Sequence, residues 1–280
     1  MPADWSIGIY RGDSPLALRP AVENPVLTAR DVTDVAADFV ADPFLLRDGG
    51  TWYLFFEVLE SATQRGRIGL AESSDGLGWV YRGTALAEPF HLSYPYVFAW
   101  QGECFMVPET LDAGAVRLYR ADPFPTRWRL AAELFAGRFA DPSLVCFDGR
   151  WWLFACPRPY EHDALCLWSA PAPAGPWREH PRSPLLTGDP RRARPAGRVL
   201  AHAGGLLRYA QDCHPFYGTA VRAFAVRELT ATAYREEEAA ASPILGPAGS
   251  GWNGKGMHHV DPHPLPGGGW IACVDGRGAG

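Results

Sequence analysis

Residues 41–57 read ADPFLLRDGGTWYLFFE. An apolar run follows Asp-Pro, a Gly-Gly pair interrupts it, and a second apolar-aromatic run ends on glutamate. Two such runs about a Gly turn spell a β-hairpin. In an antiparallel hairpin the start of the first strand lies beside the end of the second. Asp42 and Glu57 are therefore expected at the same end of one sheet. The pattern recurs as SYPYVFAWQGECFMVPE (93–109) and ADPSLVCFDGRWWLFAC (140–156), with Pro third and Gly tenth each time. AGRVLAHAGGLLRYAQD (196–212) is a degenerate copy, and VDPHPLPGGGWIACVD (260–275) a shortened one. The starts are about 45 to 65 residues apart, in the range of propeller blades and repeat arrays.

A second hairpin follows each of the first four units, at 66–83, 114–134, 164–180 and 219–237. Each carries an aromatic residue at the start of its last strand: Trp79, Trp128, Trp177 and Tyr234. Two consecutive hairpins make a four-stranded antiparallel blade. The fifth unit lacks its second hairpin, but WSIGIYRGDSPLALRP (5–20) resembles one. N-terminal strands should therefore complete the last blade, which closes the ring and removes exposed sheet edges. The expectation is an all-β fold, a single five-bladed β-propeller domain over residues 1–280. A β-sandwich with coincidental Gly and Pro spacing is the competing fold.

The composition agrees. Eleven Trp beside 30 Gly and 26 Pro suit many short strands better than long helices. A net charge of −5 gives no basic field for nucleic acid. No apolar run approaches the roughly 18 residues of a membrane span. The N-terminal MPADWSIGIYRGD has neither the basic nor the apolar region of a signal peptide. Six cysteines, none in a C-x-x-C pair and most in apolar runs, read as reduced thiols of a cytoplasmic protein.

Across the five units the second position holds Asp42, Tyr94, Asp141, Gly197 and Asp261. The position at the end of the second strand holds Glu57, Glu109, Cys156, Asp212 and Asp275. One Asp-Pro is ordinary turn chemistry. Several acids converging on the mouth of one channel crowd like charges, which costs stability unless they are paired or used.

A five-bladed propeller with inner-strand Asp at its funnel resembles the arabinanase, xylosidase and fructosidase superfamily of glycoside hydrolases (families 43, 32 and 68). More closely, ADPFLLRDGGTWYLFFE, SYPYVF, GECFMVPET, ADPSLVCFDGRWWLFA and HHVDPH resemble the propeller domain found N-terminal in plant glucosamine inositolphosphorylceramide transferases and in stand-alone bacterial homologues. The likeness covers nearly the whole chain. In the plant proteins the transferase chemistry is attributed to a separate domain. The hydrolase likeness implies three acid roles: an Asp as base or nucleophile, a second Asp that orients and tunes, and a Glu as general acid. Asp42, Asp141 and Glu109 are the residues available for them. The order departs from the superfamily pattern, since Asp141 follows Glu109 and blade two carries Tyr94 in place of Asp. The chemistry suits glycoside cleavage, which needs one protonated and one ionised carboxyl around the sugar.

Candidate substrate contacts are Glu57, Tyr94, Arg158, Arg198, Asp212, His214, His259 and Asp261. Arg191, Arg192, Arg194 and Arg198 cluster in GDPRRARPAGR (188–198), an anion clamp or a solvated loop. Arg198, beginning the fourth inner strand, reads as the best placed. His258, His259, Asp261 and His263 sit close together, but Pro262 and Pro264 interrupt the alternation a metal site would need. No metal or cofactor is expected, although a structural ion could sit in the channel. Three functions compete: a glycosidase or transglycosylase on a carbohydrate or glycoconjugate, an anionic one included; a non-catalytic carbohydrate-binding or accessory module; and a protein-interaction propeller.

Overall fold

The computed structural model describes residues 5–279 as five antiparallel sheets arranged as a five-bladed propeller. Blade 1 comprises Ala37–Asp48, Thr51–Glu60, Arg65–Ser73 and Val80–Leu86; blade 2 comprises Ser93–Trp100, Glu103–Glu109, Ala115–Ala121 and Trp128–Ala136. Blade 3 comprises Ala140–Phe147, Arg150–Cys156 and Ala164–Ala170, its outer edge divided between Arg178–Glu179 and Leu186–Thr187. Blade 4 comprises Leu200–His202, Gly205–Asp212, Ala220–Leu229 and Tyr234–Glu238. Blade 5 has Val260–Pro264 innermost, then Trp270–Arg277, then the N-terminal Trp5–Ser14 and Ala17–Pro20. The closure expected from the repeat is the one found: Trp5 pairs with Arg277 and Gly12 with Trp270. Among the described residues no helix is long and apolar enough to cross a membrane. The six thiols are unpaired; four are buried, and Cys146 is exposed.

The core lies between blades. Each blade has two covered faces, so its second strand reads as a continuous apolar run instead of alternating. In blades 2, 3 and 4 the aromatic residue at the start of the outer strand reaches the preceding blade. Trp128 meets Phe55 edge-on at 5.4 Å between ring centroids, Trp177 approaches Phe135 at 6.5 Å, and Tyr234 approaches Phe154 at 5.9 Å. Such aromatic contacts add specific geometry to area burial.

One backbone device aims the channel residues. Asp42, Tyr94 and Asp141 each have positive φ, at 52°, 47° and 53°. Each sits in a break in the ladder, between pairs Ala41–Glu57 and Phe44–Phe55, Ser93–Glu109 and Tyr96–Val107, and Ala140–Cys156 and Ser143–Phe154. A bulge of this kind adds a residue and re-aims its side chain. In blade 4 the same position is Gly197, at φ 127° and bridged to Val260 of blade 5. A Cβ there would lie 1.8 Å from the Val260 carbonyl oxygen. Gly197→Ala should destabilise the protein by roughly 2–5 kcal/mol through strain and overpacking, read from urea unfolding midpoints at unchanged m.

Blade 5 has no such bulge: Val260 faces Val274 and Asp261 faces Cys273 in unbroken register. Asp261 consequently stays in the channel instead of turning to the mouth. It accepts from Leu45 N–H at 2.7 Å and from Arg198 Nε at 2.6 Å, and His263 Nε2 lies 3.0 Å away. Arg198 also donates to the Val97 carbonyl at 2.9 Å and lies over the Tyr96 ring at 4.8 Å. Leu45 is three residues along its strand from Asp42, so this pair sits about 10 Å below the mouth at roughly 3.3 Å per residue. Burial opposes the charge on Asp261, but Arg198 and His263 hold its carboxyl well below the usual range. Arg198 and Asp261, expected as substrate contacts, are bound to each other and tie blades 1, 2, 4 and 5 together.

Candidate functional site

The mouth of the channel gathers acids from every blade: Asp42 and Glu57, Glu109, Asp141, Asp212 and Asp275 are all buried. Their contacts divide them into separately wired sets. In the first, Asp141 is 1% exposed and Glu109 7%. Arg194 Nε donates to Asp141 Oδ2 at 2.5 Å, and Gln211 Nε2 donates to the same oxygen at 2.8 Å. The Asp141 N–H donates to Glu109 Oε2 at 3.1 Å, and Arg194 Nη2 lies 3.7 Å from that oxygen. Burial, then the adjacent Asp141 carboxylate, push the Glu109 carboxyl up to about 8 against the pull of Arg194. Glu109 therefore holds its proton at neutral pH beside an aspartate that accepts from a guanidinium.

In the second set Asp275 is wholly buried and accepts N–H groups of Asp42 at 3.1 Å, His258 at 3.1 Å and His259 at 3.0 Å. His258 Nδ1 lies 2.7 Å from its Oδ2, while His258 Nε2 lies 3.6 Å from Asp42 Oδ1. Burial disfavours charge on Asp275, but His258 and the backbone donors hold its carboxyl below the usual range. Asp42 behaves oppositely. Burial, then repulsion from Glu57, Asp141 and Asp275, raise its carboxyl well above that range. His258 is clamped by Trp5, stacked at 4.0 Å between centroids, and by Tyr217, edge-on at 5.1 Å. The donor atoms of Asp42, His258 and Asp275 lie within 4.8 Å of one another, close enough for a shared cation. The four N–H groups directed at Asp275 already occupy the lone pairs a carboxylate offers. The set fits a hydrogen-bonded relay better than a metal cage. Asp275→Asn places an amide donor against these N–H groups and should cost about 2–4 kcal/mol in chemical unfolding.

The remaining expected contacts scatter. Glu57 lies 3.2 Å from His91 Nε2, and Asp212 accepts from Arg222 at 2.8 Å. Tyr94 is fully buried, and its hydroxyl bonds Ser143 Oγ at 2.7 Å and takes the Gly197 N–H at 2.5 Å. It ties blades 2, 3 and 4 beneath the mouth and is not open to it. His259 is enclosed by Phe44 and Tyr94, with centroids at 4.6 and 5.2 Å, and burial lowers its ring to about 4. Arg158 is half-exposed and 3.2 Å from Asp163, and His214 is exposed on the rim. Gln211 is a mouth residue that the sequence did not point to, and Arg194 and His258 stood out only as members of an arginine loop and a histidine run. Gln211 stands one place before Asp212 at a strand end.

The family described as glucosamine inositolphosphorylceramide transferase 1, N-terminal, matches residues 2–277. The chain is 40% identical over 295 aligned residues to glucosamine inositolphosphorylceramide transferase 1 of Oryza sativa subsp. japonica, and 36% identical to that of Arabidopsis thaliana. These alignments cover 97% of this chain but 40% and 39% of the relatives, so the chain spans about two fifths of their length. Among solved structures, the catalytic domain of a Coprinopsis cinerea family 62 α-L-arabinofuranosidase superposes with a TM-score of 0.63 at 14% identity, covering 98% of this chain and 97% of that one. Zg3597, a family 117 glycoside hydrolase produced by Zobellia galactanivorans, gives 0.56 at 17% identity over 84% of each chain. At these identities the structures share the fold alone. The sequence match along nearly the whole chain goes further: this protein belongs to the family of the N-terminal region of glucosamine inositolphosphorylceramide transferase 1.

Proposed function

We propose that this propeller takes one sugar residue of a glycoconjugate into its mouth and acts on the glycosidic bond by carboxyl acid–base chemistry. The observation that carries the reading is the burial, at one mouth, of two acid groups wired to different partners: Glu109 with Asp141 and Arg194, and Asp42 with His258 and Asp275. Burial lifts the carboxyls of Glu109 and Asp42, while Asp275 beside Asp42 is held low; neighbouring carboxyls pushed toward different charge states are what acid–base cleavage uses. Glu109 donates its proton to the leaving oxygen as the bond from the anomeric carbon breaks. Asp141 orients Glu109 through its N–H and the shared arginine. Asp42, in its ionised form, accepts a proton from the water or hydroxyl that attacks the anomeric carbon, and that proton returns through solvent to Glu109 as the product leaves. The relatives' name makes glucosamine-bearing inositol phosphorylceramides the first ligands to test, beside a panel of aryl glycosides.

A second reading has its own support. Arg194 bridges Glu109 and Asp141, as a structural clamp would, and the curated relatives carry a further three fifths of chain beyond the match. On this reading the mouth binds sugar without cleaving it, and another domain does the chemistry. Sugar release by the wild type and its loss in Glu109→Gln support the first reading. Saturable binding with no release by either protein selects the second.

A further inference from the structure

Among the described residues, the large hydrophobic side chains left exposed include two aromatics, Tyr160 at 74% and Phe216 at 66%. Both stand on the rim of the mouth. Tyr160 lies in the loop that follows Cys156, and Phe216 in the loop that follows Asp212, the ends of the second strands of blades 3 and 4. The two loops touch: the rings of His162 and Tyr217 are 5.0 Å apart between centroids. Arg194 fastens both. It donates to the Pro159 carbonyl at 2.8 Å, approaches His162 Nδ1 at 3.0 Å and lies over the Tyr217 ring at 5.1 Å, while holding Asp141. The exposed rings are thus carried on loops anchored to the acid pair.

We propose that Tyr160 and Phe216 form a stacking platform for a second sugar ring, so that the ligand is an oligosaccharide or glycoconjugate and not a single sugar. The proposal rests on the reading of the mouth as a sugar site. A pyranose presents a face of C–H groups and a rim of hydroxyls, which suits an aromatic face ringed by polar groups. Phe and Tyr offer that face with few rotatable bonds to immobilise. Exposed Arg158 and His214 stand two residues from Tyr160 and Phe216 on the same loops, where they can meet the hydroxyl rim.

The test is isothermal titration of the full chain with methyl glycosides of glucosamine, N-acetylglucosamine, xylose and arabinose, and with a disaccharide of each. The wild type, Tyr160→Ala/Phe216→Ala and the exposed-residue control Val80→Ala are compared. The wild type and the control should bind the preferred disaccharide roughly tenfold tighter than its methyl glycoside, as two aromatic contacts would give. The double variant should lose that advantage and keep the methyl glycoside affinity. Equal affinities in the wild type, or an advantage that survives the double substitution, overturn the platform and assign the two rings to a protein surface. An equal loss for both lengths overturns it too, because the rings would then serve the first sugar. If no sugar of either length binds, the sugar-site reading falls together with the platform.

Discussion

Replacing Arg194 with methionine should lower stability by about 3–5 kcal/mol near neutral pH, the cost of leaving a buried charge without its partner. Methionine keeps much of the side-chain volume, so the loss is electrostatic and not a cavity effect. Among the described residues Asp141 would retain the Gln211 amide, and Glu109 would lose the Arg194 guanidinium 3.7 Å away. The loops carrying Pro159 and Tyr217 would lose their common tether. Urea unfolding of both proteins near pH 7 checks it. A deficit below about 1 kcal/mol would mean that Arg194 is not what balances the acid pair.

Glu109→Gln should have the larger effect on chemistry. A positioned proton donor contributes about 10²- to 10⁴-fold, and the amide keeps the shape without the proton. Turnover should fall by that factor with sugar binding retained. Wild-type turnover should decline as pH rises through about 8, where Glu109 loses its proton. Stability offers a readout independent of any substrate. The folded carboxyl binds its proton more tightly than the unfolded one, whose usual value is 4.5. Its contribution is complete below 4.5 and is lost as pH rises to about 8. The slope is at most about 1.4 kcal/mol per pH unit for one proton. The glutamine variant should be flatter across that window and more stable than wild type at its upper end. Asp42, raised in the same direction, leaves a residual slope in both proteins.

The propeller was legible because its signals are local and repeated. Pro, Gly and apolar runs recur at fixed offsets, and N-terminal strands supply what the fifth unit lacks. The acids at the mouth were legible for the same reason. What each acid touches was not. Asp42, Asp141 and Asp261 all stand in Val/Ala-Asp-Pro, yet two occupy bulges and the third lies in regular register below the mouth. Blade 5 also differs in the close approach of Gly197 to Val260, a contact between blades that neither segment announces. The arginines were exchanged for a related reason. The inner strand of blade 4 begins at Leu200, so Arg198 drops into the channel and Arg194, in the preceding loop, reaches the acids.

The closure of blade 5 also sets an order of events. Its ladder joins Trp5–Ser14 to Trp270–Arg277, the most distant segments of the described chain. Pairings of such sequence separation carry the largest loop-closure entropy and form late. Trp5 stacks on His258, and His258 faces both Asp275 and Asp42. The acid relay can therefore assemble only once the ring has shut, after blades 1 to 4 have formed their hairpins. A folding intermediate with the first four blades in place would already have the Glu109–Asp141–Arg194 set but not the Asp42–His258–Asp275 set. Competence at the mouth would then report ring closure itself, and a label on Trp5 would follow both at once.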